Sequence, residues 1–185
     1  MDTWVWVVIG IAAAIVVLGI VWAGLRSRRT QELKGQFGPE YDRVAADAPS
    51  KRQAEAELRE RRQRRAQFDI RPLTPEQRDR YTERWQEIQA EFVDDPGRSV
   101  ARADSLIQNV MRDRGYPVDD FDTRAADLSV DHPDVVENYR AGHGIAVAHD
   151  RGKAGTEELR KSVQHFRALF AELLEVREPE EARRS

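Results

Sequence analysis

The chain has 185 residues, 34% of them charged and 40% hydrophobic, with a formal net charge of −3. It has no cysteine, which excludes disulfides, thiolate zinc sites and thiol nucleophiles. The charge is unevenly spread: residues 26–65 hold 12 basic and 7 acidic side chains, net +5, and residues 66–185 hold 18 and 25, net −7.

Trp4 to Leu25 reads WVWVVIGIAAAIVVLGIVWAGL, 22 residues without a charge. At about 1.5 Å per residue this spans the ~30 Å hydrocarbon core of a bilayer, and the sequence predicts a single transmembrane helix over residues 4–25. Trp4 and Trp6 at one end and Trp22 at the other suit the headgroup level. A cleaved secretory signal would need a basic start, a shorter apolar run and small residues at a cleavage site. Here only Asp2 precedes the run, and Trp22-Ala23-Gly24-Leu25 leads into Arg26, Arg28 and Arg29. Positive charge on that side alone predicts residues 1–3 outside and residues 26–185 in the cytoplasm, at a bacterial inner membrane. Gly10 with Ala14 and Gly19 with Ala23 form small-xxx-small pairs, which leaves homodimerisation through the span open.

Residues 26–69 read as basic juxtamembrane or stalk helices. Gly38-Pro39 opens an amphipathic piece with Tyr41, Val44, Ala45 and Ala48 at helical spacing, interrupted at Pro49. The next helix, from about Ser50, offers only Ala54, Leu58 and Phe68 as apolar anchors, so it is expected to bury little. Its Arg61, Arg62, Arg64 and Arg65, with Arg26, Arg28 and Arg29, are candidate contacts for anionic lipid headgroups or other phosphates. Glu55, Glu57 and Glu60 are interspersed with these arginines, and a solvated, salt-laced helix is the plainer reading. Nucleic acid is disfavoured, because no aromatics interleave for base stacking.

Residues 70–176 carry stronger signals. Thr74-Pro75-Glu76-Gln77 combines an N-cap, a first-turn proline and a capping-box glutamine, starting a helix with Tyr81, Trp85, Ile88 and Phe92 in one stripe. Asp95-Pro96 caps the next, with Val100, Ala103, Ile107 and Val110, closed by Gly115 ahead of Pro117. A short helix passes through Phe121, Ala125, Ala126 and Leu128. Asp131 is then read as capping a helix with Val135, Tyr139, His143 and Ala146, and a last helix from Thr156 repeats Leu159, Val163, Phe166, Phe170 and Leu173. Each stripe needs a partner, so the fold class is all-α: a compact antiparallel helical bundle behind the membrane anchor. Residues 177–185 have no stripe and are expected to fray.

Phe37-Gly38-Pro39-Glu40-Tyr41, Arg71-Pro72-Leu73, Phe92-Val93-Asp94-Asp95-Pro96, Arg114-Gly115-Tyr116-Pro117 and the stretch from Ala125 to Pro133 together resemble an uncharacterised family of bacterial single-pass membrane proteins. The resemblance implies the same membrane-anchored helical layout and assigns no reaction, ligand or catalytic residue.

The histidines are the remaining chemical candidates. His143 and His149 are six apart, about 240° around a helix, so they cannot share a metal on one face. His143 lies on an inner face between Gly142 and Gly144, which are read as permitting close approach of a neighbouring helix. It is the one weak candidate for a ligand-binding or enzymatic site, against the plainer reading of a packed, hydrogen-bonded histidine. Asp119, Asp120 and Asp122 lack the pattern of a calcium loop and are explained by the positive end of a helix. The sequence indicates no catalytic residue, cofactor or metal site. Its functional expectation is a membrane-anchored interaction domain for a protein partner, with a His143-centred ligand binder and an anionic-lipid sensor as rivals.

Overall fold

In the computed structural model the described residues are Trp4 and 27–175, and their regular elements are all helices. They are α1 (27–37), α2 (Pro39–Asp47), α3 (Lys51–Arg65), α4 (Pro75–Glu91), α5 (Pro96–Arg114), α6 (Phe121–Asp131), α7 (Val136–Asp150) and α8 (Thr156–Leu173). Among the described residues no helix is long and apolar enough to cross a membrane. Apart from Trp4, the predicted span 4–25 lies outside the described residues, as do its small-residue pairs, Arg26 and the tail 177–185. The described chain forms two compact units, one ending at Leu58 and one starting at Arg59, so the division falls inside α3.

The first unit is organised by a turn. Gly38 adopts φ 47°, a conformation favouring glycine, and Pro39 starts α2 immediately after it. Across the turn Leu33, Phe37, Tyr41 and Val44 recur at steps of 4, 4 and 3, and all are buried. Ala54 and Leu58 of α3 are fully buried as well, each large side chain contributing about 1.5–3 kcal/mol. The expectation that α3 buries little is therefore corrected. Two alanine- and leucine-sized positions one turn apart suffice when the neighbouring positions also pack, and even Glu55 is only 4% exposed. Its Oε1 accepts from Thr30 Oγ1 at 2.7 Å and Tyr41 Oη at 3.3 Å. Buried Glu40 is held by Arg43 through two parallel bonds of 3.0 and 2.9 Å.

The second unit is built from two hairpins. Thr74 forms the expected capping box with Gln77, and Asp95 caps α5 through Arg98 N at 3.0 Å. Gly115 closes α5 at φ 95°, with the Asp69 carbonyl so near that an added Cβ would lie 2.3 Å from it. Tyr81 Oη donates to Asp113 while Ser99 Oγ donates to the Ile88 carbonyl, so α4 and α5 run antiparallel. Likewise His165 meets Asn138 and Ser162 meets Gly142, which makes α7 and α8 antiparallel. The two hairpins join through α5 and α8, whose C-terminal ends meet where Arg114 Nη1 donates to the Leu173 carbonyl at 2.5 Å. This central pair runs parallel, a departure from the all-antiparallel expectation. Tyr81, Trp85, Ile88, Ile107, Tyr139, Phe166 and Phe170 are buried in one core, with Trp85 stacked on Phe170 at 4.6 Å and Phe92 partly buried against it.

One predicted cap is displaced. Asp131 ends α6 instead of starting α7, which begins at Val136. Its carboxylate is taken by Tyr116 Oη at 2.5 Å and by Arg65 Nε, two stronger partners than a backbone amide.

Candidate functional site

The arginine-rich end of α3 lies in the second unit, and helical spacing sorts its side chains. Positions 61, 64 and 65 share one face, three and four residues apart, and position 62 does not. Arg64 Nε donates to Asp127 Oδ1 at 2.7 Å, Arg61 Nη1 to Ser129 Oγ at 3.3 Å, and Arg65 Nε to Asp131 Oδ2. Three of the seven candidate headgroup-binding arginines are thus engaged with α6. Arg62 is exposed, as are Arg28 and Arg29 in α1. Asp127 and Ser129 are fully buried. Asp127 Oδ2 has no hydrogen-bond partner, and burial raises the carboxyl above its ordinary range even though Arg64 pulls the other way. No pattern within α6 announces these partners. The only clue in the sequence is that Asp127 sits beside Leu128 on the face that must be buried.

His143 is half-buried and stacks flat on Phe121, ring centres 3.7 Å apart at 9°. Burial lowers its pKa, Asp104 pulls it back up, Arg124 lowers it further, and Asp122 and Asp150 act with Asp104. One turn earlier Tyr139 is wholly buried, its hydroxyl accepting from Arg124 Nε at 3.1 Å. Asp104 Oδ2 accepts from Gln108 Nε2 at 2.8 Å, and burial together with Asp104 pushes the pKa of the Tyr139 hydroxyl up. One face of the imidazole is therefore closed by an aromatic ring.

Of the two flanking glycines only Gly142 fits the close-approach reading. A Cβ there would meet the Phe166 ring at 2.8 Å, whereas one on Gly144 would meet nothing within 4 Å. Gly144 faces outward because it lies two residues, about 200°, from Gly142. The other histidines are separate: His132 Nδ1 is 3.2 Å from Glu172, His149 Nδ1 3.2 Å from the Ala154 carbonyl, and His165 Nδ1 2.9 Å from Asn138. Among the described residues no three His, Asp or Glu side chains are grouped to hold a metal ion.

A concave feature of the second unit lies elsewhere. An open cleft of about 220 Å³ runs between α4 and α8, lined by Gln89, Phe92, Arg160, Val163, Gln164 and Arg167. The Arg160 guanidinium lies 5.9 Å over the Phe92 ring. Sequence reading placed Phe92 and Val163 in core stripes. Both are half-buried at the edge of that core.

No family model, curated protein or solved structure matches this chain.

Proposed function

We propose that this chain is a single-pass protein of the bacterial inner membrane whose helical units form a cytoplasmic interaction domain for a protein partner. The observation that carries the reading is the uncharged 22-residue segment Trp4–Leu25, bounded by tryptophans and followed directly by Arg26, Arg28 and Arg29. The helical units give such an anchor a folded cargo. Their buried polar groups are used for packing: Asp127 for Arg64, Ser129 for Arg61, Ser162 for the Gly142 carbonyl. The proposal extends to membership of the uncharacterised single-pass family the sequence resembles.

The test is retention and topology. The full chain should remain in membranes after alkaline carbonate extraction. A Ser185→Cys reporter, the only thiol in the chain, should react with a membrane-impermeant maleimide only after permeabilisation. Release by carbonate would sink the anchor, and labelling of intact cells would sink the cytoplasmic placement.

Anionic lipid is a second reading, supported by the exposure of Arg28, Arg29 and Arg62. Flotation of residues 26–185 with phosphatidylserine vesicles should weaken when these three are neutralised. Unchanged flotation would end this reading.

A further inference from the structure

We infer that His132 is a proton-operated latch: with both ring nitrogens protonated it ties the end of α6 to the last turn of α8, and loss of one proton loosens that turn. The latch is independent of any anchor or partner.

Two helix ends fix the position of the residue. The His132 amide closes α6 on the Leu128 carbonyl at 2.8 Å, and the His132 carbonyl accepts from Val135 N and Val136 N, at 3.2 and 3.1 Å, where α7 opens. The side chain is 10% exposed, so both ring nitrogens depend on protein partners. Nδ1 lies 3.2 Å from Glu172 Oε1 on α8, and Nε2 lies 3.4 Å from Tyr116 Oη.

Tyr116 has a single hydroxyl proton to give. Its approach of 2.5 Å to Asp131 Oδ2, against 3.4 Å to the imidazole, directs that proton to the carboxylate. Asp131 Oδ2 also accepts from Arg65 Nε, so this oxygen is an acceptor twice over. Tyr116 Oη is then left as an acceptor toward the ring, and the Glu172 carboxylate is an acceptor on the other side. Two acceptors flanking one imidazole are both satisfied only when Nδ1 and Nε2 each carry a proton. A neutral ring keeps one of them: as the Nδ1–H tautomer it turns a lone pair on Tyr116, and as the Nε2–H tautomer it turns one on Glu172.

The charged groups on the elements that meet here are Glu172 and Glu175 at the end of α8, Asp131 on α6, Asp134 in the following turn, Arg65 on α3 and Arg114 on α5. Arg65 is engaged with Asp131, and Arg114 with the Leu173 carbonyl and Glu175. Glu172 is the carboxylate within hydrogen-bond distance of the ring. Losing a proton therefore turns a charge-assisted bond between the end of α6 and α8 into a neutral bond or none. Histidine ordinarily makes that change between about pH 5 and 8, so the bridge is complete at the acid end of the window and weakened at the alkaline end. The Glu172 side chain is half exposed, so water screens the pair and the change loosens one turn rather than unfolding the unit.

The test is amide exchange of the full chain in neutral detergent at pH 6 and pH 8, each rate corrected for its intrinsic pH dependence. Leu174, whose amide bonds the Phe170 carbonyl at 3.0 Å in that turn, is the probe, and Val110 on the buried face of α5 is the internal reference. Protection of Leu174 relative to Val110 should be about threefold or more higher at pH 6 than at pH 8. Glu172→Gln should abolish the difference, and so should His132→Gln. If His132→Gln does not fold, Glu172→Gln, at a half-exposed carboxylate, decides alone. Equal relative protection at the two pH values overturns the latch, and so does a difference that persists in Glu172→Gln.

Discussion

Arg64 Nε lies 2.7 Å from Asp127 Oδ1, and the pair straddles the boundary with water: the aspartate side chain is fully buried and the arginine side chain 37% exposed. Such a pair is costly to break from one side. Arg64→Ala leaves an unpaired carboxylate in the interior, a loss of about 2–3 kcal/mol at pH 7 once the exposure of Arg64 is discounted. Burial already raises the Asp127 pKa, so the folded state holds this proton to higher pH than the unfolded state does. Its contribution to stability is thus full below the unfolded value and is lost as pH rises through the folded one. Removing Arg64 raises the folded value further. The damage in Arg64→Ala should accordingly shrink between pH 7 and pH 5, as followed by urea unfolding of the full chain in neutral detergent. A constant loss across that range would contradict the account.

Gly142 and Gly144 should respond to alanine with opposite signs. Gly142→Ala drives a methyl into the Phe166 ring, which is itself fully buried and cannot yield, so a net loss of about 1–2 kcal/mol is expected after the helix-propensity gain. Gly144→Ala meets open space and should gain about 0.5–1 kcal/mol. Paired melting curves give the comparison.

Two serines tie the hairpins. Ser99 Oγ reaches the Ile88 carbonyl at 2.6 Å and Ser162 Oγ the Gly142 carbonyl at 2.8 Å, and both residues are fully buried. Each serine-to-alanine change should cost about 0.5–1.5 kcal/mol, with the helical fold retained by circular dichroism. Ser105, whose hydroxyl bonds its own helix in solvent, should be near neutral as a control.

His143 should titrate below the ordinary histidine range in a proton-resolved NMR series, because burial against Phe121 disfavours its charged form. Asp104→Asn should lower it further, since Asp104 opposes that shift. A depressed folded value means that the histidine's contribution is present above its unfolded pKa and is lost as pH falls through the folded one.

Much of this architecture is legible from local rules. Thr74, Asp95 and Gly115 mark helix ends by their own chemistry, and the Tyr81-Trp85-Ile88 stripe declares its buried face whatever it packs against. What escaped depends on partners far along the chain. Asp131 has the composition of a cap and is drawn away by Tyr116 and Arg65. The arginines of α3 look like a solvated row until Asp127 and Ser129, more than 60 residues on, are placed beside them. Gly142 and Gly144 flank the same histidine in the sequence, and only the backbone at Gly142 lies close against Phe166. The cleft was invisible because Phe92 and Val163, which help line it, read as ordinary core.

The parallel pairing of α5 with α8 has a consequence for biosynthesis. The α4–α5 hairpin is local and can form as soon as it is made, but the packing of α5 on α8 arrives only with the final described helix, as the 59-residue separation between Arg114 and Leu173 shows. Until α8 has left the ribosome the part of α5 that packs on it is uncovered, so an emerging chain passes through an interval in which chaperone shielding matters most. Shortening the chain before Thr156 would make that interval permanent.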